Sequence, residues 1–273
     1  MKIIGERING SRARVEAAVS GRDGAFIQRL AQRQVDSGAD WLDVCAGTPA
    51  EREPDDLVWL VRTVQEVVQV PLCLDSANPQ ALAAAMDQVA HMPLINSISG
   101  ERMRLDGILP LLRETECGII ALAMDDSGVP SGVEDRMGAM RGLLDELHGA
   151  GIADERVYVD PLVMAIAANV ESGKIALATM RAVHAEFPDV HIVSGLSNVS
   201  FGLPVRTVIN QAFLTLALEA GLDTAILDPM DRELRKALLA AEVVLGHDRY
   251  CLNYTHAYRA GLLNGPVAAA TRS

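Results

Sequence analysis

The sequence predicts an α/β protein folded as a single (β/α)8 TIM barrel, and three observations carry that expectation. Eight short apolar runs alternate with amphipathic stretches from one end of the 273-residue chain to the other. Hydrophobic residues make up 49% but aromatics only 4%, so aliphatic side chains must do nearly all the packing, as in a parallel sheet covered by helices. No linker or low-complexity stretch divides the chain, so one closed barrel over residues 1–273 is expected rather than two smaller domains.

The candidate strands are "KIIGERI" (2–8), "DWLDVCAG" (40–47), "PLCLDS" (71–76), "PLINSIS" (93–99), "GIIALAM" (118–124), "RVYVDPLV" (156–163), "VHIVSGLSN" (190–198) and "DTAILDP" (223–229). Helical spacing follows several of them. Leu57, Leu60, Val61, Val64 and Val68 recur at three and four residues behind "EPDD", an acidic start containing a proline. Asn78 and Pro79 open a helix over 79–90, and Pro204 opens one over 205–220. Gly151, Gly221 and Gly246 stand where helices should stop. The alternative is an open Rossmann-like sheet, which is weakened because "GERING" is not a G-x-G-x-x-G and no helix is expected directly after it.

Thirty-six acidic against 24 basic side chains give a net charge of −12, which opposes binding to nucleic acid or anionic lipid. Cys45, Cys73, Cys117 and Cys251 are far apart in sequence, without metal-type or disulfide-scaffold spacing, and are expected as small buried hydrophobes in a reducing cytoplasm. "MKIIGERING" is too short in apolar character for a signal-peptide core, and no run reaches membrane-spanning length, so a soluble cytoplasmic protein is expected.

In a (β/α)8 barrel the ligand site lies at the C-terminal ends of the strands. Those ends here offer Glu6, Asn9, Asp43, Asp75, Asn96, Asp125, Asp160, Asn198 and Asp228, a ring of carboxylates and amides with hardly a cation. Each alone is equally well a turn former or helix cap. Asp75 in "LCLDS", Asn96 in "LINS" and Asp160 in "VYVDP" nevertheless share apolar surroundings, where an unpaired carboxylate is costly. A flat heterocycle with adjacent N–H donors and a ring oxygen, such as the 2-amino-4-oxo edge of a pterin, would satisfy them. A hard cation is the rival occupant. It is disfavoured because the six histidines show no metal-ligand spacing, and no bound metal is expected. "GLSNVSFG" is not a G-x-S-x-G nucleophile elbow. "DVHIVSG" is one residue too long for a corrinoid-module signature, and Arg102 and Arg104 read as a solvated helix face.

"IIGERING", "LCLDS", "INS", "DPL", "GLSNVS" and the closing "LDP", in that order, make the chain resemble the pterin-binding methyltransferases that exchange a methyl group between tetrahydrofolate and a corrinoid protein. That resemblance extends nearly end to end. It includes the methyltransferase acting on the corrinoid iron–sulfur protein, the folate module of cobalamin-dependent methionine synthase, and the second methyltransferases of demethylation systems. It implies a pterin-binding barrel, a homodimer, tetrahydrofolate or 5-methyltetrahydrofolate as substrate, and a corrinoid brought by a partner protein. By the same resemblance Asp75, Asn96 and Asp160 anchor the pterin ring, Gly195 and Ser197 line the pocket, and Arg206 stands near it. Asn198 matches the family's asparagine that hydrogen-bonds folate nitrogen 5, so it is the expected catalytic residue. Glu6, Asp43 and Phe201 are further candidates.

After "GLSNVS" the chain reads "FGLPVR", less polar than the iron–sulfur-protein branch, which leaves the corrinoid partner open and favours methylation of tetrahydrofolate in a demethylation pathway. The alternative direction is methyl transfer to a corrinoid iron–sulfur protein in carbon fixation. Dihydropteroate synthase shares the fold and pocket, but "AGTPAEREPDD" is acidic where that enzyme needs a pyrophosphate loop, and "SGLSN" has no lysine beside it. A folate-binding module without catalysis would not need Asn198.

Overall fold

The computed structural model describes residues 1–263, so the last ten residues of the expected 1–273 domain lie outside the described part. Eight parallel strands close into a barrel in sequence order, each hydrogen-bonded to the next and β8 back to β1. They are β1 (Lys2–Asn9), β2 (Trp41–Cys45), β3 (Leu72–Asp75), β4 (Leu94–Gly100), β5 (Gly118–Asp125), β6 (Val157–Asp160), β7 (His191–Gly195) and β8 (Thr224–Leu227). Around them pack α1 (Ala13–Gly21), α2 (Gly24–Asp36), α3 (Glu53–Gln65), α4 (Pro79–Met86), α5 (Arg102–Arg113), α6 (Val133–Gly149), α7 (Ser172–Glu186), α8 (Arg206–Glu219) and α9 (Arg232–Val244), followed by α10 (Leu252–Arg259). The (β/α)8 expectation is met, and the open-sheet alternative is excluded by closure.

Start and stop chemistry explains most helix ends. Asn78 Oδ1 accepts the Gln80 backbone N–H at 3.0 Å to open α4, and Asp231 Oδ1 accepts those of Glu233 and Leu234 at 3.0 and 3.1 Å to open α9. α3 begins with Pro54 in its first turn beside Glu53, Asp55 and Asp56. Gly151, Gly221 and Gly246 adopt φ of 82°, 105° and 75°, the left-handed conformation that lets the chain leave a helix without a Cβ clash.

Four expectations are corrected. A helix does follow "GERING": α1 starts at Ala13 behind Arg12, which makes no side-chain cap bond and so gave no start signal. β6 ends at Asp160 rather than 163, because Pro161 has no N–H for the ladder and Leu162 turns at φ 63°. β7 ends at Gly195, and residues 196–200 form a single 3-10 turn instead of continuing the strand. Cys251 is also exposed, on a turn at φ 54°, while Cys73 and Cys117 are buried.

Alternation along the strands sorts side chains into two cores. Ile3, Leu42, Leu72, Ile95, Ile119, Val157 and Ile192 face the helices in the large outer cluster. Ile4, Cys73, Leu94, Ile120 and Val193 form a separate buried cluster, with Trp41, Tyr158 and Ile226 packed against it. These residues have the opposite parity and fill the barrel interior.

Candidate active site

The interior cluster fixes what lies above it. Two residues further along each strand the side chain points inward again. That step takes Ile4 to Glu6, Trp41 to Asp43, Cys73 to Asp75, Leu94 to Asn96, Tyr158 to Asp160 and Val193 to Gly195. An apolar plug thus floors a polar layer at the C-terminal ends of the strands. A cavity of about 590 Å³ lies at the other end of the barrel. In its walls Lys2 pairs with Asp40, His191 pairs with Asp223, and the Tyr158 ring stacks on His191.

Within the polar layer the strand register sets Asp75 directly beside Asn96. Asn96 Nδ2 donates to Asp43 Oδ1 at 3.3 Å. Asp43 is 3% exposed, and burial together with the neighbouring Asp75 charge pushes its carboxyl well above the usual range. Asp75 is raised too, mainly by burial, against a thiol hydrogen bond from Cys45 and the positive charge of Arg104. Both carboxyls are thus harder to ionise than solvated ones, and at Asp43 the Asp75 charge adds to the effect of burial. The layer presents two carboxyls and one amide side by side.

Across the barrel, Asp160 Oδ1 accepts the Leu162 backbone N–H at 2.8 Å, and burial lifts its carboxyl to about 6 despite that bond. Glu6 is raised by burial, while Arg12 at 3.2 Å and the Ser197 hydroxyl at 3.3 Å oppose the shift. Cys45 lies among these carboxylates, and burial keeps its thiol protonated.

The 3-10 turn at the rim carries the rest. Ser197 reaches Glu6, Asn198 is exposed, and Val199 and Ser200 are buried. Arg206 braces this turn from outside: Nη2 donates to the Ser197 carbonyl at 2.6 Å and Nε to Ser200 Oγ at 3.0 Å. Its guanidinium stands 5.8 Å from the centre of the Phe201 ring, which is 67% exposed. Asp43, Asp75, Asn96, Asp160, Glu6, Gly195 and Ser197 are thus drawn into one layer, whereas Asn198, Phe201 and Arg206 occupy its edge.

Sequence reasoning missed the cations. Arg12 pairs with Glu6, Arg7 Nη1 pairs with Asp228 at 3.0 Å, and half-buried Arg104 acts on Asp75 instead of standing on a solvated face. The helical spacing of "ERMRL" places Arg104 one turn above Glu101, a signal too weak to pick it out. Among the described residues no group of three or more His, Cys, Asp or Glu side chains could hold a metal ion, and no helix is long and apolar enough to cross a membrane.

Comparison with known proteins agrees with this arrangement. A methylcorrinoid:tetrahydrofolate methyltransferase of Eubacterium limosum is 39% identical over 271 residues, covering 98% of this chain and all of the relative. Methionine synthase of Mycobacterium tuberculosis is 29% identical over 84% of this chain, which spans only 21% of that longer protein. Among solved structures, a dihydropteroate synthase of Coxiella burnetii in complex with pteroic acid superposes with a TM-score of 0.69 over 89% of this chain and 94% of that one, at 17% identity. A Burkholderia cenocepacia dihydropteroate synthase with 7,8-dihydropteroate gives 0.67 over 91% and 93%, at 24% identity; both likenesses are of fold alone. Residues 9–228, which contain every strand end of the polar layer except Glu6, match the pterin binding enzymes, and the chain belongs to that family.

Proposed function

We propose that the protein moves a methyl group between the cobalt of a corrinoid carried by a partner protein and nitrogen 5 of tetrahydrofolate, in the direction that methylates tetrahydrofolate during demethylation. The observation that carries this reading is the row Asp43, Asn96 and Asp75 opposite Asp160, with Asn198 on the rim above it. The name and full-length similarity of the Eubacterium relative support the same direction.

Ionised Asp75 and Asp160 suit the paired N–H donors of a pterin edge, and Asn96, with its Nδ2 engaged by Asp43, has its carbonyl oxygen free for another donor. A ring held there places nitrogen 5 towards the mouth, within reach of Asn198. The nitrogen 5 lone pair then attacks the methyl carbon. The cobalt–carbon bond breaks with its electron pair remaining on cobalt, which is reduced from Co(III) to Co(I), and nitrogen 5 releases its proton to water. An amide does not titrate near neutral pH, so Asn198 hydrogen-bonds and orients nitrogen 5 without taking the proton. Alignment of the lone pair with the methyl carbon is the main service the chain provides.

Methyl transfer in the opposite direction, from methyltetrahydrofolate to a corrinoid protein, would use the same residues. By the family resemblance the protein works as a homodimer with an open barrel mouth. The test mixes the purified protein with methylcobalamin and tetrahydrofolate and follows the corrin spectrum under anaerobic conditions. Conversion to cob(I)alamin with formation of methyltetrahydrofolate is expected. Tight folate binding without any methyl transfer in either direction would leave a binding module and overturn the enzyme reading.

A further inference from the structure

Arg136, in the first turn of α6, is 2% exposed and makes no direct ion pair among the described residues. Burial pushes its guanidinium down from the usual arginine range, and a cation so near the start of a helix also opposes the helix dipole. Its hydrogen bonds all go to backbone carbonyls of the segments after β5 and β6. Nε donates to Pro130 at 3.4 Å, and Nη1 donates to Pro161 at 2.5 Å and to Leu162 at 2.8 Å. Asp160 grips the same backbone from the other side. The Pro161 carbonyl and the Leu162 N–H belong to one peptide unit, and that N–H donates to Asp160 Oδ1 at 2.8 Å. Guanidinium, peptide and carboxylate are thus joined by two hydrogen bonds in series, and each polarises the peptide in the sense that strengthens the other. Leu162 itself sits at φ 63°, which a non-glycine residue adopts only where its surroundings impose it. Its N–H is held by Asp160 and its carbonyl by Arg136.

We propose that Arg136 is a positioning residue for folate binding: through the Pro161–Leu162 peptide it fixes the Asp160 side chain and holds it as an anionic acceptor. The inference rests on the reading of Asp160 as an acceptor for the pterin edge. A brace for the two loops alone would need donors but no charge, and a buried charge without a purpose is costly. The purpose is on the page, because Arg136 is the charged group that acts on Asp160 and opposes the effect of its burial. The other charged groups nearby are engaged elsewhere. Asp125, at the end of β5, accepts from the Ser127 N–H and hydroxyl; Glu134 and Asp135, beside Arg136 on α6, are exposed; and β7 brings no charged residue to this end of the barrel. Arg136 therefore acts on the substrate only through Asp160.

The experiment titrates tetrahydrofolate against the wild type, Arg136→Gln, Arg136→Lys, and Asp160→Asn with and without Arg136→Gln, from about pH 5.5 to about pH 8. Arg136→Gln keeps a donor and loses the charge. Its Kd is expected to rise about fivefold at about pH 6 and by less than about twofold at about pH 8, as ionisation of Asp160 moves up by about one pH unit. Arg136→Lys, whose ammonium can still donate to both carbonyls, should follow the wild-type profile within about twofold. In the Asp160→Asn background, Arg136→Gln should change Kd no further. A loss of the same size at every pH, or one that persists undiminished with Asp160→Asn, would make the arginine a loop brace alone and overturns the proposal, as does wild-type affinity throughout. Should Arg136→Gln melt too low to titrate, adding Leu162→Gly, which takes φ 63° without strain, supports the turn, and the same outcomes decide. A wild type with no affinity for tetrahydrofolate overturns the acceptor role of Asp160 and this inference with it. Because binding alone is read, absence of methyl transfer bears on the reaction and not on Arg136.

Discussion

Asn198 folds back over Gly195: a methyl group placed on Gly195 would stand 3.1 Å from Asn198 Nδ2. Gly195 has φ −71°, which any residue adopts, so the glycine is needed for room and not for backbone freedom. Gly195→Ala is therefore expected to displace the amide by a few tenths of an ångström while leaving the fold intact. Turnover should fall about tenfold, equivalent to about 1.4 kcal/mol of transition-state stabilisation, with folate affinity changed much less. Asn198→Ala removes the hydrogen bond altogether and should cost about a hundredfold in turnover, with folate affinity again little altered. Single-turnover rates and folate titrations on both variants check this order; full turnover in Asn198→Ala would refute the role given to the amide.

Arg206 holds the turn that carries Asn198 through the Ser197 carbonyl and the Ser200 hydroxyl, both within 3.0 Å. It is exposed and outside the polar layer, so its effect on folate passes through the turn. Arg206→Ala should lower turnover several-fold with little change in folate affinity, because the proposed anchors Asp75, Asn96 and Asp160 lie on β3, β4 and β6, away from the turn. Arg206→Lys should recover only part of the loss, since one ammonium cannot match two guanidinium bonds with fixed spacing. A large rise in folate Kd with unchanged turnover would instead make Arg206 a direct substrate contact.

Much of this was legible in the sequence, for a reason visible in particular residues. "LCLDS", "LINS" and "VYVDP" each place a polar residue two positions after an apolar one, and that period-two step is what turns Asp75, Asn96 and Asp160 to the same side of the sheet. Barrel closure then converts a common side into a common interior. The strand ends were less legible: β7 looks apolar through Leu196, and the 3-10 turn that follows is tied by bonds from Ser197 to Glu6, 191 residues apart, and from Arg206 to Ser197 and Ser200. The same holds for the arginines. Arg7, Arg12 and Arg104 lie among residues that read equally well as solvated surface, and the pairing of Arg7 with Asp228 and Arg12 with Glu6, like the charge influence of Arg104 on Asp75, depends on tertiary placement that no local pattern encodes.

Asp43, whose carboxyl burial and the Asp75 charge push upward, offers a test of that shift. If burial and the Asp75 charge keep it neutral, the neutral isostere Asn should replace it at little cost, still accepting from Asn96 Nδ2 through its carbonyl oxygen. Asp43→Asn is thus expected to retain folate affinity within about threefold, whereas Asp43→Leu leaves a buried amide of Asn96 without its acceptor and should destabilise by about 1–3 kcal/mol. Denaturant unfolding and folate titration of the two variants separate the cases. A severe binding defect in Asp43→Asn would mean that the carboxylate itself is ionised and in use.

Asp160 links stability and binding to pH in opposite senses. Its carboxyl titrates at about 6 in the folded chain against an ordinary value of 3.8, so the folded state holds the proton more tightly than the unfolded state. Below about pH 4 both states are protonated and the group has no effect. As pH rises from about 4 to 6 the unfolded chain ionises first, and stability falls, by at most about 3 kcal/mol, then stays level above pH 6. Folate binding needs the ionised acceptor, so affinity should rise over the upper part of that window and level off above pH 6. Asp160→Asn removes both dependences: the unliganded variant should melt higher than the wild type at pH 7, while its folate affinity falls at least tenfold because an N–H of the new amide faces the N–H donors of the pterin. Melting curves and folate titrations between pH 4.5 and 8 measure the two effects on the same samples. A variant with wild-type affinity, or one that melts lower at pH 7 than the wild type, would place the cost of that buried charge elsewhere.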